Sequence, residues 1–110
     1  MIENLGSVRV SPSVLAAIAR LTTLDVPGVS RMSNGLVGGM SRLIGRENQA
    51  AGVKLQVTEG VVTVDLHVVI KSGFNMLDVG TRIQEDVNMA LSKMVGMPVG
   101  DINIYVEDVE

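Results

Sequence analysis

Between residues 53 and 71 the chain reads VKLQVT, then Glu59-Gly60, then VVTVDLHVVIK. Alternation of apolar and polar residues on either side of a tight turn predicts a β-hairpin. In the second arm Val62, Val64, Leu66, Val68 and Ile70 make one wholly apolar face, while Thr63, Asp65, His67, Val69 and Lys71 fall on the other. A strand with one apolar and one mixed face belongs to a sheet covered on one side. The rest of the chain must supply that cover.

Two segments carry helical spacing. SPSVLAAIARLTTL offers Ser11 as N-cap and Pro12 at the first helical position, where its missing N–H costs nothing. Val14, Leu15, Ile18, Leu21 and Thr22 then form its predicted stripe, and Pro27 ends it by disfavouring helix at Val26. The second helix starts at Asn75 as N-cap, with Asp78 in the capping position. Met76, Val79, Ile83, Val87, Ala90, Leu91 and Met94 are its predicted buried stripe, and Gly96-Met97-Pro98 stops it.

GSVRV (6–10) and VGDINIYVED (99–108) alternate as two further strands. The resulting order is β-α-β-β-α-β. It implies an α+β two-layer sandwich, with two helices packed on one face of a mostly antiparallel or mixed four-stranded sheet. A split βαβ arrangement is one solution with this order. At 110 residues the chain is expected to be a single domain, 1–110, without an internal linker.

Residues 28–52 fit none of these elements. They hold Gly28, Gly35, Gly38, Gly39, Gly45 and Gly52, and include the run GLVGGMSRLIGR. A structureless connection of that length is uncommon unless it has a function. Leu36, Met40, Leu43 and Ile44 stand at the spacing of a short amphipathic helix, although each glycine costs such a helix about 1 kcal/mol relative to alanine. A phosphate-binding loop is excluded by context: no lysine follows a glycine pair, no strand precedes the run, and the dinucleotide GxGxxG is absent. Charge is the better guide. Arg31, Arg42 and Arg46 stand against Glu47 alone, on a chain whose net charge is −3. A locally basic, apolar segment on an acidic chain suits an anionic surface or an acidic partner, and equally an Ω-like loop that folds back with its Leu and Met capping the core's edge. Leu36, Met40, Arg42, Leu43 and Arg46 are the candidate partner or membrane contacts.

Composition narrows the remaining classes. An acidic balance with Phe74 and Tyr105 as sole aromatics disfavours nucleic-acid binding. The absence of cysteine removes disulfides, thiolate nucleophiles and thiolate-bound zinc. MIENLGSVRV has no basic start followed by an apolar core, so no secretory signal is read, and a cytoplasmic location is expected. Asp65 and His67 share a strand face, but a lone histidine there is most simply solvated. Without a second histidine no metal cluster is expected. Glu85 and Asp86 are adjacent on a helix and diverge. No catalytic set and no cofactor site is predicted. The alternative is a small-ligand-binding or enzymatic domain with residues 28–52 as a lid.

The whole chain from Gly6 resembles the alkaline shock protein family of envelope stress response proteins in Gram-positive and related bacteria. The resemblance rests on GSVRVSPSVLAAIARLTTLDVPGVSRMS, GLVGGMSRLIGR, GVKLQV, VTVDLHVVIKSGFNMLDVGTRIQEDVNMAL and VGDINIYVEDV together. It implies a non-catalytic role in cell-envelope homeostasis and stress response. It also implies self-association, and recruitment to the inner face of the membrane by a membrane-anchored protein, so that membrane association is indirect. Neither nucleic acid nor a small-molecule substrate is expected as a partner. The matching features are the VPGV turn (Val26 to Val29) and the glycine-rich run (Gly35 to Arg46).

Overall fold

The computed structural model describes residues 5–33 and 51–110. In chain order these form α1 (Pro12–Leu24), β1 (Val29–Met32), β2 (Val53–Thr58), β3 (Val61–Ile70), α2 (Met76–Met94) and β4 (Val99–Val109). The expected class is found: two helices cover one face of a four-stranded mixed sheet. Its first strand is not where the alternation of GSVRV placed it. Residues 6–10 are exposed and, among the described residues, unpaired, and the fourth strand is β1 instead. VSRM follows the VPG turn directly, and its four residues are too few to show a period.

The centre of the sheet is β3. On one edge it pairs in parallel with β4, from Val62↔Val99 to Ile70↔Val109. A parallel neighbour requires a crossover, and α2 provides it. The other edge of β3 is shared. β2 pairs antiparallel with residues 61–66, and β1 antiparallel with residues 68–70. β1 and β2 therefore lie end to end in a single row.

His67 marks the junction. Its carbonyl accepts from the Ser33 N–H at 2.8 Å, and its own N–H donates to the Gly52 carbonyl at 2.8 Å. Ser33 thus supplies the donor and Gly52 the acceptor that one residue of an unbroken strand would supply. Ser33 and Gly52 meet at one point of the row.

The core lies between the sheet and the helices. Val64, Leu66, Val68 and Ile70 are all at 0% exposure, as the alternation of β3 requires. From α2 they meet Val79, Ile83, Val87 and Leu91. Met76 and Met94, at the ends of the expected stripe, are exposed. The α1 stripe is shifted relative to expectation: Leu15, Ala16, Ala19 and Thr23 are buried, whereas Val14 and Leu21 are exposed. The small side chains of Ala16 and Ala19 let the helix approach closely, and the Thr23 hydroxyl is satisfied by the Ala19 carbonyl at 2.8 Å. Asn75 caps α2 as expected, accepting from the Asp78 N–H at 3.0 Å.

Candidate functional site

The uncovered face of the sheet carries the polar chemistry. Alternation along β3 sends Asp65 and His67 away from the helices, and the parallel register sets Asn103 beside Asp65 and Tyr105 beside His67. Each group is taken by β4. The Asn103 amide donates to Asp65 at 2.8 Å. His67 Nδ1 lies 2.7 Å from a Glu107 carboxylate oxygen, and its ring stacks on Tyr105 with centroids 4.7 Å apart. Asp65 and His67, neighbours on one face by sequence, are therefore not partners of each other.

At the far end of this face, Ser30 Oγ donates to Glu110 at 2.7 Å and Arg31 reaches the same carboxylate at 3.4 Å. The Ser30 hydroxyl first, and the Arg31 guanidinium second, hold the Glu110 carboxyl below its ordinary range. A lowered carboxylate stabilises the fold above its unfolded-state pKa, and that contribution is lost as pH falls through the lowered value. Ser30→Ala is expected to move the Glu110 midpoint upward, read from its carboxyl carbon in an NMR titration. An unmoved midpoint would show that the hydroxyl does not set it.

The histidine–carboxylate pair can orient an imidazole, but base catalysis also needs a nucleophile and an electrophile site within reach. The contacts of His67 supply neither, because its partners are a carboxylate and a phenol ring. Among the described residues no group of three histidine or acidic side chains could hold a metal ion. Glu85 is exposed, and Asp86 is engaged by Arg82 one helical turn earlier at 3.1 Å. On the helical layer, Leu21, Leu24, Met89 and Ala90 line an open groove edged by Asp25 and Asp86.

The predicted contacts Leu36, Met40, Arg42, Leu43 and Arg46 lie outside the described residues. What the fold adds is the position of two residues that flank them, Ser33 and Gly52, both bonded to the backbone of His67. The sequence signal for that junction was Gly52 beside VKLQVT. It has φ +77°, and a Cβ there would stand 2.8 Å from the Ser33 carbonyl oxygen and 2.9 Å from that of His67.

The model of the alkaline shock protein 23 family, described by a cell envelope-related function, matches residues 1–110. The chain belongs to this family. Within the alkaline shock protein 23 family it is similar to the uncharacterized protein YqhY of Bacillus subtilis, 27% identical over 97% of this chain and 79% of that protein. It is also similar to the uncharacterized protein Spy1535 of Streptococcus pyogenes, 32% identical over 97% of this chain and 81% of the relative. No solved structure matches it. In this member of the family the VPGV turn is architectural. Val26 is buried, Lys71 donates its N–H to the Gly28 carbonyl at 2.7 Å, and a Cβ on Gly28 would lie 2.8 Å from Phe74 and Val79 side-chain atoms. The turn seats the end of α1 against the start of α2.

Proposed function

We propose that this protein is a non-catalytic, self-associating interaction module of the cell envelope, held at the cytoplasmic face of the membrane by a membrane-anchored partner. The observation that carries the reading is the junction at His67. β1 and β2 meet there through Ser33 and Gly52, and the sequence between those two residues is basic and apolar, which suits an acidic partner. The family's envelope-related function supports the location. Among the described residues no helix is long and apolar enough to cross a membrane, which fits attachment through a second protein.

The test is recovery with the membrane fraction after crosslinking in cells. Replacing residues 35–50 by a short Gly/Ser linker is expected to leave a folded protein that is lost from the membrane fraction, and Arg42→Glu/Arg46→Glu to lose it at full length. A shortened chain that still sediments with membranes would overturn the segment's role. Purified protein that bound anionic vesicles unaided, and equally well after the double substitution, would overturn the partner as well.

A further inference from the structure

One segment has a strand's sequence and no strand partner among the described residues. Residues 6–10, GSVRV, alternate polar and apolar side chains, yet Val8 is 95% exposed and no backbone hydrogen bond joins Leu5–Val10 to other described residues. Unpaired backbone and exposed valines both favour addition to a sheet.

The fold offers an edge that suits it. β4 is the longest strand, pairs only with β3, and leaves its outer edge open among the described residues. Between Ile102 and Val106 its register is unbroken, and the strand contains neither lysine nor proline, two common guards of exposed edges. The core-side Val106 and Val109 remain 36% and 40% exposed there. The opposite edge is a poorer match, being broken at residue 33 and carrying Lys54.

The five residues of GSVRV match the five from Ile102 to Val106. With Val8 and Val10 continuing the apolar face beside Ile104 and Val106, Ser7 and Arg9 fall on the polar face. Arg9 then meets a strand whose exposed charges, Asp101, Glu107 and Asp108, are all acidic. The segment cannot reach its own β4. It is rooted on α1, which packs over β1 and β2, whereas α2 packs over β4. A new strand beyond β4 lies about 14 Å from β2, three strand spacings. Ser11 alone, spanning about 3.5 Å, separates Val10 from the helix.

We propose that residues 6–10 of one copy add as a fifth strand along β4 of a second copy. This rests on the self-association in the proposed function and names its surface. The cysteine-free chain gives a clean test. Arg9→Cys protein is mixed with differently tagged Asp101→Cys, Asn103→Cys or Tyr105→Cys protein and oxidised. In parallel, light scattering compares the unmodified chain with Val8→Pro, which removes a strand donor in a segment that is unpaired among the described residues. The expected result is one dominant hetero-tag disulfide, and a mass above 11.7 kDa that falls to 11.7 kDa in Val8→Pro with unchanged circular dichroism. Association that persists in Val8→Pro and in a chain beginning at Ser11 would overturn the surface and leave self-association standing. A wild-type mass of 11.7 kDa at several hundred micromolar would overturn both.

Discussion

Gly52→Ala is expected to lower the unfolding free energy by about 3–5 kcal/mol, a large share of the roughly 5–15 kcal/mol typical of a domain. Two costs add. A φ of +77° is strained for any L side chain, by about 1–2 kcal/mol. The new methyl must also displace carbonyl oxygens at 2.8 and 2.9 Å, and both belong to backbone held in the row. Neither the β1 end nor β3 can yield without breaking the bonds that His67 makes to Ser33 and Gly52. Urea unfolding followed by circular dichroism reads the loss directly. A midpoint unchanged from wild type would mean that β1 and β2 do not meet at this residue.

Leu66→Ala is expected to cost about 2–5 kcal/mol, and Leu21→Ala less than about 0.5 kcal/mol. Leu66 sits at 0% exposure in the middle of β3, with neighbouring strands on both edges and the helices above it, so the cavity left by truncation cannot collapse easily. Leu21 occupies the stripe that spacing assigns to the core of α1, yet it is 59% exposed. Comparing the two in one denaturant series separates the helix face that packs from the face that only looks apolar. Equal losses would show that α1 is rotated relative to this fold.

That contrast shows where periodicity is sufficient. The β3 face was legible because every second residue is a branched aliphatic, and a one-residue slip would bury Asp65 and His67. The α2 stripe was legible for a similar reason: Asn75 sets its start, and Val79, Ile83, Val87 and Leu91 follow at regular helical steps. In α1 the large residues pointed to the wrong face. Contact there is made by Ala16 and Ala19, whose burial reflects close approach and not hydrophobic bulk. Asp65 and His67 share a face without being partners, because β4 supplies a better donor or acceptor to each. Chemistry at a sheet surface depends on the neighbouring strand.

By itself the sequence determined the hairpin, the two helices, the closing strand and the sidedness of the sheet, because local turn chemistry and periodic burial encode them. It also marked residues 28–52 as exceptional through their glycines and charge. Only the tertiary structure decided that residues 29–32 are a strand, that GSVRV is unpaired among the described residues, and that β1 and β2 form one row. Those outcomes turn on which segment occupies the edges of β3. Edge occupancy is a competition between distant parts of the chain for the same hydrogen bonds, and no local pattern records its winner.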